Sequence, residues 1–407
     1  MMRVVVTGMG AFSCLGTTLD EISQSLQLGR SGIIFDPSRK AHGFRSGLMT
    51  RLPETDLKAE LDRSARKYMP EQAAWCAIAT KRAIADSGLT PAMIERADVG
   101  VIVGNDSSAA TILESVRIHD VNNDSRFLGS TTVIRAMNST VSMNLGPMLK
   151  AKGINLTISA ACASSAHAIG MAFNLIRSRA QRIVFAGGAQ EANWFTMLSF
   201  DALGAFSARE ADPLRACRPF DRNRDGLIPG GGGAMLILES LESAKARHAP
   251  ILAEVLAYSF SSDGDHLTQP SGDGAVRCIR GLFESGELSP TDIDYINAHA
   301  TSTPAGDRAE AFAIHEVFGS HGPPVSSTKS MTGHEMWMAG ASELVYSLLM
   351  MRDGFIAPNL NFEGFDDETP EINVVTSTTR GSIRTVMSNS FGFGGTNACL
   401  VVRRFDA

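Results

Sequence analysis

Apolar positions along this chain follow two rhythms. Short, nearly continuous apolar runs alternate with longer stretches in which apolar residues recur at helical spacing. The short runs predict strands at Arg3–Thr7, Val99–Val103, Ile154–Ser159, Arg182–Ala186, Ala234–Glu239, Ile251–Ser259, Tyr295–Ala298, Ile372–Val375, Thr385–Asn389 and Ala398–Arg403. The longer stretches predict helices at Thr18–Leu28, Pro70–Asp86, Ala163–Ile176, Gly274–Glu284, Asp307–Phe318 and Met338–Met351. This alternation implies an α/β fold of mixed sheets covered by helices. No low-complexity linker divides the chain. The polar, Gly- and Pro-containing stretches 36–62 and 205–226 are expected to be surface excursions. Four glycines at Gly230–Gly233 precede a strand without a following Gly-Lys-Ser/Thr. That argues against a phosphate-binding loop, and close backbone packing is the simpler explanation.

Composition narrows the function classes. The 407 residues suffice for one large domain or two ordinary ones. A net charge of −6 without any basic tract argues against nucleic-acid binding. No apolar run reaches the length of a membrane span. The N-terminus reads as a first core strand and not as a signal peptide. Six scattered cysteines without C-x-x-C spacing predict reduced thiols and a cytoplasmic protein.

One cysteine stands apart. Cys162 lies between the strand-like Ile154–Ser159 and the helix-like Ala163–Ile176, flanked by small residues. At such a junction free N–H groups and the helix dipole favour a thiolate, which can attack a thioester. Acyl transfer is therefore the first chemistry to consider. Three further segments carry polar groups at strand ends: Asn297–Pro304 with His299, Ser326–His334 with Lys329 and His334, and Ser388–Asn397 with three glycines interleaved with Phe391 and Phe393. Taken singly, each histidine is an ordinary loop histidine, and the glycine segment is a hairpin that can aim an N–H into a cavity.

In this order and at these separations, the four segments resemble the β-ketoacyl-acyl-carrier-protein synthases, and within them the KAS I branch of bacterial fatty-acid elongation. The resemblance extends through Val4–Gly10, Phe185–Gly188, Phe220–Gly226, Pro270–Gly272, Gly354–Pro358 and Val386–Asn397. It implies a thiolase-like fold with five αβαβα layers. Two similar halves, 1–250 and 251–407, would each be a sheet flanked by helices, the first carrying the nucleophile and the second both histidines. It also implies a homodimer and an acyl-carrier protein as partner. Phosphopantetheine would arrive on that partner, with no metal or other cofactor.

By the same resemblance Cys162 takes the acyl group, and His299 and His334 stabilise the enolate formed as malonyl thioester loses CO2. Backbone N–H groups of Cys162 and Phe393 would hold the acyl oxyanion. Lys329 sets protonation states beside a buried acid, Glu310. Thr301 and Thr303 bind the pantetheine amides, Phe391 and Phe393 gate the half-reactions, and Met137 lines the partner subunit's acyl tunnel. Arg63, Arg66, Lys67 and Arg126 would dock the acidic carrier. Departures from the family pattern are Trp337 and Ala300 for glycines, and Asn105–Ala109 for a glycine-rich stretch bordering the acyl pocket. The expected reaction is condensation of acyl- with malonyl-carrier protein. The alternatives are the same chemistry in a specialised polyene or polyketide pathway, and a non-catalytic chain-length-factor partner. A thiolase is disfavoured because residues 391–396 contain no second cysteine.

Overall fold

The computed structural model of the chain describes residues 2–406. Ten strands form one hydrogen-bonded sheet: β1 Val4–Phe12, β2 Val99–Gly104, β3 Asn155–Ile158, β4 Ile183–Gln190, β5 Gly232–Ser240, β6 Ala253–Ser262, β7 Tyr295–Asn297, β8 Val325–Ser326, β9 Thr385–Gly392 and β10 Thr396–Arg404. Their order is β8-β7-β9-β10-β6-β1-β5-β4-β2-β3. This order splits into two sets of five that repeat one another. In the first set β3, β2 and β4 run parallel, and β5 and β1 follow antiparallel. In the second, β8, β7 and β9 run parallel, and β10 and β6 follow antiparallel. The sets join where their first strands, β1 and β6, pair antiparallel through Val4–Val6 and Ala253–Val255.

The helices that matter for the site are α1 Glu71–Ser87, α2 Ala109–Asn122, α3 Thr140–Leu149, α4 Ser164–Arg177, α5 Trp194–Leu203, α6 Asp273–Gly281, α7 Pro304–Phe318 and α8 Ala339–Asp353. α1 and α3 cover the outer face of the first set, in a core with Ile78, Leu145, Phe185 and Ile237. α6 and α7 cover the outer face of the second, with Ile279, Ile314, Met387 and Val401. α4 and α8 lie between the sets, sharing a core with Val184 and Leu400. The result is the five-layered αβαβα arrangement. Every residue from Ala339 to Met351 is buried, because α8 has protein on all sides. α1 lies directly on β1: a Cβ on Gly10 would meet Ala79 O at 2.2 Å.

Some expectations fail for physical reasons. No strand forms at 372–375; only Val374 makes a single bridge, to Val325 in the two-residue strand β8. Helices α2, α3 and α5 were not anticipated. The stretches 36–62 and 205–226 are surface excursions only in part. Arg39, Phe44 and Thr50 are buried in the first, and Cys217–Asp221 in the second. In the second stretch the buried charges are paired, Arg218 with Asp221 and Arg224 with Asp366, each at 2.8 Å.

Candidate active site

Both sets of strands deliver their chemistry from equivalent places. Cys162 lies between β3 and α4, and His334 between β8 and α8, each after the third strand of its set. The turn at Cys162 is tight: Ala161 takes a left-handed φ of +45°. Ser164 Oγ accepts from Ala160 N–H at 2.8 Å and donates to Ala161 O at 2.6 Å. Asp106, just past β2, accepts from Ala161 N–H at 3.0 Å. These bonds fix the sulfur's direction. His334 is braced by backbone bonds, its N–H donating to Ile228 O and its O accepting from Gly230 N–H.

The three expected reactive groups converge. His334 Nε2 lies 3.0 Å from Cys162 Sγ. The His299 ring stands perpendicular to that of His334, centroids 5.2 Å apart. Sulfur and both imidazoles come within 4.8 Å of one another, and all three side chains are buried.

At Cys162 desolvation outweighs the preference of a helix start for a thiolate. Burial pushes the Cys162 thiol up to about 12; Lys329 pulls it down, Asp106 adds to the rise, and the N–H groups of Phe393 and Cys162 oppose it. Burial, then Lys329, holds both imidazoles well below their usual range. The resting site is thus a neutral thiol facing a neutral imidazole, which can take the thiol proton as attack begins.

Lys329 is buried, but its ion-pair partner is Glu343 of α8, which was not anticipated, and not Glu310. Glu343 stands in the buried, mostly apolar stretch Ala339–Met351 of α8, where a carboxylate is costly unless it is paired. Glu310 instead accepts from His299 N–H at 2.8 Å, Ala300 N–H at 2.6 Å and Asn389 Nδ2 at 2.9 Å, so it holds the His299 loop. Burial pushes it up to about 7. The left-handed residue in that loop is Ser302 (φ +73°), so Ala300 needs no unusual backbone. The Cys-His-His set has the donor types of a soft-metal site. A cation there would work against the same Lys329 charge that depresses both imidazoles.

A cavity of ≈ 390 Å³ reaches Cys162 and is lined by His299, His334, Thr301, Thr303, Phe391 and Phe393, among others. The Thr301 and Thr303 hydroxyls lie 3.1 Å apart. The Phe391 ring sits 6.1 Å from His299, and Phe393 stacks on Phe200 at 6.1 Å. The remaining expected residues lie outside this cavity. Met137 is exposed before α3. Arg63, Arg66 and Lys67 lie in and after a short surface helix, and Arg126 is paired with Asp124 at 2.6 Å.

The sequence profiles of the Beta-ketoacyl synthase N-terminal and C-terminal domains match residues 1–244 and 252–363. The chain belongs to the beta-ketoacyl synthase family. It is 44% identical to 3-oxoacyl-[acyl-carrier-protein] synthase 1 of Escherichia coli (strain K12) over 409 residues, 99% of each chain. It superposes on a solved Beta-ketoacyl synthase from Burkholderia phymatum STM815 with a TM-score of 0.95, at 34% identity and covering all of both chains. It also superposes, with a TM-score of 0.89 at 30% identity and full coverage of both, on a ketosynthase in a type II PKS complex with its acyl-carrier protein. The fold is thus the thiolase-like ketosynthase fold, and this beta-ketoacyl synthase is a condensing acyltransferase.

Proposed function

We propose that this protein condenses an acyl-carrier-protein thioester with malonyl-carrier protein, giving 3-oxoacyl-carrier protein and CO2 in fatty-acid elongation. The observation that carries this reading is the meeting of Cys162 Sγ, His334 Nε2 and His299 in one buried cavity. As Sγ attacks the acyl carbonyl, its proton passes to His334 Nε2 and a new C–S bond forms. N–H groups of Cys162 and Phe393 hold the oxyanion. The carrier's C–S bond breaks, and its sulfur leaves with the proton from His334. Malonyl thioester then loses CO2, and the electron pair moves into an enolate whose oxygen accepts from Nε2–H of His299 and His334. The Nδ1 of each ring has no partner among the described residues, so neither tautomer is locked. The carbanion attacks the acyl-cysteine carbonyl, a C–C bond forms, and the Cys162 thiolate leaves and is reprotonated from water.

No metal or organic cofactor enters these steps. Thr301 and Thr303 would hold the pantetheine arm, and Lys329, paired with Glu343, would keep both imidazoles neutral. Arg63, Arg66, Lys67 and Arg126 would receive the acidic carrier. The relatives' names and the solved carrier complex support that partner. A homodimer would cover the open edge of β3, with its exposed Leu156, and bring Met137 to a partner's tunnel. Free cysteines and the lack of a membrane-crossing helix among the described residues support a cytoplasmic location. Elongation is favoured over a specialised pathway by the full-length match to synthase 1 relatives. A non-catalytic partner role is disfavoured by the converged Cys-His-His set.

The test is incubation with acyl- and malonyl-carrier proteins, read by mass. Cys162→Ala should abolish both acyl-enzyme and product. His299→Ala should keep acylation and lose condensation by about 10²-fold or more. Product from Cys162→Ala would refute the mechanism.

A further inference from the structure

Resting on that reading and deepening it, we propose that Trp337 closes the apolar side of Cys162 and restricts the acyl donor to short chains. The open cavity leaves the sulfur in one direction, past Thr301, Thr303 and Phe391 to exposed residues at His266 and Leu267. In another direction the sulfur belongs to an apolar cluster with Phe44, Met197, Phe206, Leu227, Met336 and Trp337. Of these, only Leu227 lines the cavity. Phe200 is the partition. It lines the cavity, and its ring packs on Trp337 at 6.2 Å, on Phe206 at 6.3 Å and on Phe393 at 6.1 Å.

Trp337 is the largest member of that cluster and is 7% exposed. It stands three residues after His334, in the short 3-10 turn Met336–Met338 that leads into α8. Its Nε1–H is buried with no acceptor among the described residues. A buried indole N–H usually finds a partner, so filled volume, not a hydrogen bond, accounts for tryptophan here. The backbone beneath it cannot retreat: a Cβ on Gly188 of β4 would meet Trp337 O at 3.0 Å and Met338 Cα at 2.9 Å. A long acyl chain on Cys162 would therefore have to displace close-packed aromatic rings.

The experiment is acylation of Cys162 by carrier proteins bearing two-, four-, eight- and twelve-carbon saturated chains, read by intact mass. The unaltered protein should take the two shorter groups and fall by about tenfold or more at eight carbons and beyond. Trp337→Leu and Trp337→Ala should raise the ratio of twelve- to four-carbon acylation in graded fashion, reaching about tenfold. A merely structural tryptophan would lower Tm and leave that ratio unmoved. Equal acylation by four- and twelve-carbon donors in the unaltered protein overturns the proposal, as does an unchanged ratio in folded Trp337→Leu. Acylation at no length overturns the condensing-enzyme reading beneath it.

Discussion

Cys162 shows how single residues compete within this site. Burial raises its thiol, Lys329 lowers it and Asp106 raises it further, so the sulfur waits as a thiol and relies on His334 as proton acceptor. Two substitutions separate the charges. Asp106→Asn should speed iodoacetamide labelling of Cys162 at fixed pH, and Lys329→Met should slow it, each by about three- to tenfold. Labelling that ignores both changes would remove electrostatics from the account. The nucleophile and both histidines were legible in the sequence because each sits at a strand end in a recognisable segment. Glu343 was overlooked because its neighbours spell an ordinary apolar helix, and only contact shows which acid meets Lys329.

Elements place these residues through close backbone approach. The end of β2 presses on the start of α4: a Cβ on Gly104 would lie 2.3 Å from Ser165 N and 2.5 Å from Ser164 C. Gly104→Ala should cost about 1–3 kcal/mol in chemical denaturation. It should also slow acylation of Cys162, because the turn must shift with the helix. Stability loss without any change in acylation would show that the contact does not position the sulfur. The period of apolar residues revealed the long strands and the helices that cover them. It did not reveal α5, whose exposed Leu198 and Leu203 leave no polar face, or the two-residue β8. Nor did it show that parts of 36–62 and 205–226, such as Arg39, Phe44 and Cys217–Asp221, turn inward, since polar composition reads as surface unless the pairing partners are known.

Across the whole molecule, buried titrating groups couple the fold to pH. Glu335 accepts hydrogen bonds from Tyr346 and Ser342 hydroxyls, and burial pushes it up to about 8 from an ordinary 4.5. The stability it contributes is full below pH 4.5 and is lost as pH rises through about 8. His299 and His334 run the other way: their depressed values give stability that is present above pH 6.5 and lost below it. Stability to urea should therefore fall between about pH 6.5 and 8.5, and Glu335→Gln should flatten that decline. An unchanged slope would mean that Glu335 does not carry it. The sequence by itself determined the α/β class, the strand-to-helix setting of Cys162 and the family, because these live in local period and in motif order. Tertiary structure alone decided the repeated five-strand topology, the Lys329–Glu343 pair, the protonation of the sulfur and the wall at Trp337. Each depends on which residues distant in the chain share one dry interior, where desolvation and packing outweigh the preferences of any short segment.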